Sequence, residues 1–310
     1  MGRLNANANA NANANANAGL HVAGIAANVR YNSQELAKLL KSGEFPAESS
    51  PTTKAQYDDA QDEVNRVKFR RYWDAELRAS IYLNEFLTDH RHQNWLDTLK
   101  STKRPPNHRS VEDMHDELTN MKGEQLRRVL ELSDEREERF SEIIDQHDGD
   151  GAIKYWLGML MLDPPSAPAT YQLIRVARRV GEVVVMCLKH HYREARPSQV
   201  CSAIVPLIDP PVTPAFPAGH ALQARLISLC LAETKHPLVQ REMLFDLAKR
   251  IARNRVVAGL HYELDNEAGE YAAELCFTLL KDGTQFNYLL EAAAKEGQPE
   301  PKGTLRPEVW

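Results

Sequence analysis

Cysteine is scarce. Cys187, Cys201, Cys230 and Cys276 are spread over 310 residues with no Cys-x-x-Cys pair among them, which excludes a disulfide scaffold and points to a reducing compartment. Long apolar runs are missing too. The stretches Ile153 to Leu162 and Val183 to Leu188 fall short of the roughly 18 residues that cross a bilayer, so no membrane span is expected. The chain does not open with a basic start, an apolar stretch and a small-residue cleavage site, and the expectation is a soluble, cytoplasmic protein. Charge of one sign is not in large excess either: the formal net charge is -5, which gives no bulk reason to bind nucleic acid. Beyond Gly151 sustained apolar-polar alternation, the mark of strands, is also absent.

Apolar residues make up 43% of the chain, ample for a buried core. Residues 5–18 are seven Asn-Ala pairs without a side chain large enough to build one, and 1–53 reads as low-complexity tail and linker. From 54 to 147 apolar residues recur at helical spacing among dense charges, as in the stripe Leu118, Met121, Leu126, Val129 and Leu130. These surface helices form either a cap or a subunit interface, and as an interface they would make a homo-oligomer. Residues 148–296 are less charged, with helices expected over 152–162, 168–195, 218–234, 238–260, 266–281 and 284–296, and 297–310 reads as a second tail. The fold class is all-α, a helical bundle.

Basic residues concentrate in the middle. Residues 175–255 carry 13 basic and 6 acidic side chains, whereas 1–150 carries 20 and 26, so an anion is expected to bind in the central region. Three segments there share a chemistry. Lys189 and Arg196 are seven residues apart, about 20° from eclipsed if one helix holds both, and Pro197 is expected to end that helix. Pro217-Ala218-Gly219-His220 precedes a helical run whose free N–H groups make an oxyanion cradle, with His220 at the rim to trade protons. Arg255 offers a fork of donors, and Asp265, four positions after His261, orients that imidazole and leaves its other nitrogen free as a nucleophile.

Other clusters read as structure. His190 and His191 diverge on the helix by about 100° and cannot both join the site, so they read as surface residues or as supports behind it. Gln146, Asp148, Asp150 and Gly151 lack the acidic ends of a calcium loop, and His90 and His92 lack a ligand set, so no metal is expected. The acidic run 134–138 is a solvated face, and Trp156, Leu157, Met159, Leu160 and Met161 are core.

Taken in order, the three segments resemble the signature of the type 2 phosphatidic acid phosphatase and vanadium-dependent haloperoxidase superfamily: Lys-x6-Arg-Pro, Pro-Ser-Gly-His, and Ser-Arg-x5-His-x3-Asp. The resemblance covers about the central 80 residues. It implies that His261 forms a phosphohistidine, that Asp265 orients it, and that His220 protonates the leaving alkoxide and later activates water. Lys189, Arg196, Arg255 and the Gly219 amide would hold the non-bridging oxygens. The implied function is a metal-independent acid phosphatase acting on a small phosphorylated anion with no cofactor. The alternative is a haloperoxidase in which His261 carries vanadate, and a third reading is a non-catalytic anion-binding or assembly protein. Ala218 and Asn254 stand where the family has Ser, and Glu263 stands two places after His261 where many family phosphatases have Pro.

Overall fold

The computed structural model describes residues 74–103, 108–147, 151–236 and 240–296. The Asn-Ala tract, the linker before 54, the Asp148–Asp150 turn and the segment after 296 lie outside the described residues. Every regular element among those described is helical.

Among the described residues twelve α-helices follow one another. They are α1 (Ala75–Thr88), α2 (Trp95–Ser101), α3 (Val111–Asn120), α4 (Lys122–Leu132), α5 (Arg136–Asp145), α6 (Ile153–Leu160), α7 (Pro168–Tyr192), α8 (Pro197–Val200), α9 (Gly219–Glu233), α10 (Arg241–Val257), α11 (Glu263–Leu280) and α12 (Thr284–Glu296). Local chemistry sets several ends. Ser110 and Asp113 form a reciprocal capping box on α3. Pro168 opens α7, and the carboxylate of Glu296 accepts from the Ala169 and Thr170 amides at 2.8 Å each, neutralising the positive end of that long helix.

α9 lies at the centre, packed against α7, α10 and α11, while α1 and α12 cover α7. α9 is buried along most of its length by Leu222, Leu226, Ile227 and Cys230, as expected of a helix enclosed by neighbours. Helices on both sides of residue 147 contribute to one core: Leu99, Leu118 and Ile143 join the same apolar cluster as Leu173, Phe216, Ile251 and Phe286. Alternating helix direction brings the C-terminal ends of α7 and α10 and the N-terminal ends of α9 and α11 to the same part of the bundle. Lys189, Arg255, Gly219 and Asp265 sit at those ends.

The helix expected over 168–195 stops at Tyr192, because Arg193 adopts a left-handed conformation at φ 53°. Arg196 is therefore not on the helix of Lys189, and the face argument that paired them does not apply. Pro197 occupies the first position of α8 and so starts a helix instead of ending one, where its missing N–H costs nothing. The stripe through Met121 is also broken. Met121 separates α3 from α4 and is exposed, as is Leu130, whereas Leu118 and Val129 are buried. Met161 caps α6 in a left-handed conformation and is 82% exposed, so it is not core as expected, although Trp156 and Leu160 are. In the acidic run, Glu135 is not simply solvated: it pairs with Arg139 and Arg253.

Candidate functional site

The site begins with an oriented imidazole. His261 Nδ1 lies 3.0 Å from Asp265 Oδ2, and the same carboxylate oxygen accepts from the Tyr262 amide at 3.0 Å. A carboxylate only accepts, so Nδ1 carries the proton and Nε2 carries the lone pair. Arg196 Nη1, which can only donate, faces Nε2 at 3.4 Å and requires the same tautomer. Gly259, at φ 80°, makes the turn that leads from α10 to His261, and a Cβ there would lie 2.9 Å from the Arg136 guanidinium.

Around the ring stand the cations. Arg196 donates to the carbonyls of Leu260 and Thr213, each at 2.9 Å, and Lys189 donates to the carbonyls of Pro214 and, at 2.9 Å, Ala215. Arg255 Nη2 donates to the Ile143 carbonyl at 2.9 Å, while its Nε and Nη1 are buried with no acceptor among the described residues. Lys189, Arg196, Arg255, His261 and Asp265 are each no more than 4% exposed. Among the described residues none of the three cations has a carboxylate within ion-pair reach, Asp265 being paired to His261. Three buried basic groups thus stand against one buried carboxyl group. Burying unpaired charge is costly, so the arrangement calls for an anion.

The ring of charges governs protonation. His261 is held well below the ordinary histidine range by burial and by the charges of Lys189, Arg196 and Arg255. Burial also lowers Arg255 to about 10 and, with Arg196 beside it, pulls Lys189 down, while it raises Asp265. His220 is pulled to about 3, chiefly by burial and then by Arg255.

Gly219 and His220 open α9, whose first amides have no acceptor within the helix. Ala218, at the cap, provides no side-chain bond to them. A Cβ on Gly219 would meet only Val185, at 3.7 Å, so no protein neighbour demands a glycine there. Every residue expected from the sequence thus lies at this end of the bundle, with Lys189, Arg196, His220 and Arg255 all acting on His261. His190 and His191 are exposed, and His92 pairs with Asp282 at 3.1 Å.

Several participants were not visible in the sequence. The carbonyls of Ile143, Pro214, Ala215 and Leu260 are backbone groups that no motif encodes. Gln146 accepts from His220 Nε2 through its carbonyl at 3.0 Å. The Tyr262 hydroxyl is buried without an acceptor or donor among the described residues. A scan against protein-family models matched no family, and a search of curated proteins returned no match. No helix among the described residues is long and apolar enough to cross a membrane.

Proposed function

We propose that the chain is a phosphoric ester hydrolase that works through a phosphohistidine on His261. The observation that carries this reading is Arg255, fully buried, whose charge acts on His261 and whose Nε and Nη1 have no acceptor among the described residues. Such donors are expensive unless an oxyanion receives them.

In the proposed reaction the phosphoryl group of a small ester sits among Arg255, Arg196, Lys189 and the first amides of α9. Its charge, placed against His220, favours the protonated ring and offsets the burial that otherwise keeps it neutral. His261 Nε2 attacks phosphorus and the P–O ester bond breaks. The electron pair leaves on the alcohol oxygen, which takes a proton from His220. Water then attacks the phosphohistidine as His220 accepts a proton from it, the P–N bond breaks and its pair returns to Nε2. Asp265 stabilises the imidazolium that Nδ1–H would otherwise carry unpaired. The cations and backbone donors supply the charge stabilisation.

The test is hydrolysis of an aryl phosphate by the purified chain, with and without chelator and vanadate. Turnover unaffected by chelator, inhibited by vanadate and lost by at least about 10³-fold in His261→Ala is expected. Turnover surviving that substitution rejects the mechanism.

A second reading is favoured by Glu263, which replaces the proline that many phosphatases of the resembled family carry two places after the histidine. The same donors and His261 Nε2 fit vanadate, and bound vanadate would supply activation of peroxide for halide oxidation. Vanadate-dependent bromination of a dione without phosphatase turnover would select this reading.

A further inference from the structure

We propose that Gln146, which lies 43 residues before the first of the three motif segments, is the positioning residue for His220. Its carbonyl fixes the imidazole with the proton on Nε2, so that Nδ1 is the nitrogen that exchanges protons with the ester. The proposal rests on the reading of His220 as proton donor given above.

The geometry starts at the end of α5. Its terminal carbonyls lack helical donors and carry the negative end of the helix dipole. Two of these groups, Ile143 and Gln146, meet Arg255 Nη2 at 2.9 Å and His220 Nε2 at 3.0 Å. A carbonyl oxygen only accepts, so the nitrogen facing it must bear hydrogen. That carbonyl also favours the charged ring, opposing the burial and the Arg255 charge that disfavour it. The relation parallels the one between Asp265 and His261, with a backbone group in place of a carboxylate.

The carbonyl is held by a lock that no motif announces. Gln146 is fully buried, and its Oε1 accepts from Asn254 Nδ2 at 2.9 Å. Asn254, also fully buried, donates to Glu142 Oε2 at 3.0 Å and accepts from Arg139 Nη1 at 3.1 Å. Asn254 precedes Arg255 on α10, so one amide ties the end of α5 to the strand of chain that carries the oxyanion donor. A serine there would be too short to span the same three partners. The asparagine that departs from the family pattern thus has a place in the site, as the anchor of α5.

The experiment combines nitrogen-15 NMR of histidine-labelled protein with steady-state kinetics on two esters. The His220 resonances are assigned by their loss in His220→Asn. Wild type is expected to show the Nε2–H tautomer, and Gln146→Leu a mixture of tautomers. Phenyl phosphate, whose leaving group needs a proton, should lose about tenfold in kcat/KM in Gln146→Leu, a fraction of what general acid catalysis supplies. With 4-nitrophenyl phosphate, which leaves unprotonated, kcat/KM of the same variant should stay within about twofold, because that ratio ends at alcohol release and leaves out hydrolysis of the phosphohistidine. An Nδ1–H tautomer in wild type, or equal losses on the two esters, overturns the proposal. Should wild type hydrolyse neither ester, the phosphatase reading fails, and the wild-type nitrogen spectrum alone decides the anchoring: Nε2–H upholds it and Nδ1–H overturns it.

Discussion

The amide of Ala218 donates to the backbone carbonyl of Asp265 at 2.9 Å, joining the residue at the start of α9 directly to the residue that orients His261. Two segments 47 residues apart are thereby held in one register. Close packing of α9 on α11 makes this contact accessible: a Cβ on Gly269 of α11 would lie 2.7 Å from the Ala218 oxygen and 3.2 Å from the Leu222 nitrogen.

Gly269→Ala is therefore an overpacking substitution at the seam. It should destabilise the fold by about 1–3 kcal/mol, as inserted methyl groups do in tight cores. Urea unfolding of the variant beside wild type measures it, and an unchanged midpoint would show that the two helices part without cost.

Ala218 caps α9 without offering a side-chain acceptor to its first amides. Ala218→Ser should add about 0.5–2 kcal/mol of stability, the usual range for a restored cap. If the same hydroxyl joins the cradle, inorganic phosphate should bind more tightly to the variant in a calorimetric titration, and unchanged binding would confine its effect to the cap.

Arg255 costs the free protein stability, because its Nε and Nη1 are buried without acceptors among the described residues. Replacing it by an apolar chain of similar length removes those orphans. Arg255→Met should be more stable than wild type in phosphate-free buffer by about 1–2 kcal/mol. Added phosphate should raise the melting temperature of wild type, by an amount equivalent to about 2.7 kcal/mol at a hundredfold excess over Kd, and leave the variant unmoved. Thermal scans in matched buffers separate these outcomes.

The pH dependence has a definite sign. The pKa of His220 is about 3 in the fold against 6.5 for the free side chain, and that of His261 is also depressed. Between these values the unfolded chain binds the proton and the native state does not, so native stability falls as pH drops below about 6.5, and the loss contributed by His220 levels off near about 3. A bound phosphate, being negative, should raise both values and move the acid limb to lower pH. Urea midpoints measured from pH 7 down to 4, with and without phosphate, test the shift. Asp265, raised by burial, contributes with the opposite sign over this range, so the comparison is with His220→Asn, whose midpoint should fall less on acidification than that of wild type; equal falls would contradict the burial of a neutral ring.

Much of this was legible beforehand, for identifiable reasons. Helical periodicity is local, so the six later helices stand where expected apart from their ends. The three motif segments fall at helix termini, where a Pro or Gly and an abrupt change of polarity mark the chain. Arg196 was misread because nothing in Arg193 announces a left-handed residue, and one such residue ended α7 early. The role of α5 was hidden for another reason. Its contribution to the site is made by carbonyls, which every residue has, and by Asn254, whose three partners lie more than a hundred residues away.

Orthovanadate, a tetrahedral oxyanion, tests the central claim most directly when titrated into the purified chain in a calorimeter. Saturable binding to a single site, abolished in Arg255→Met and accompanied by chemical-shift change at His261, is the result expected of three buried basic groups with no carboxylate in ion-pair reach among the described residues. Absence of saturable heat, or undiminished binding in Arg255→Met, would mean that those charges are not gathered for an oxyanion.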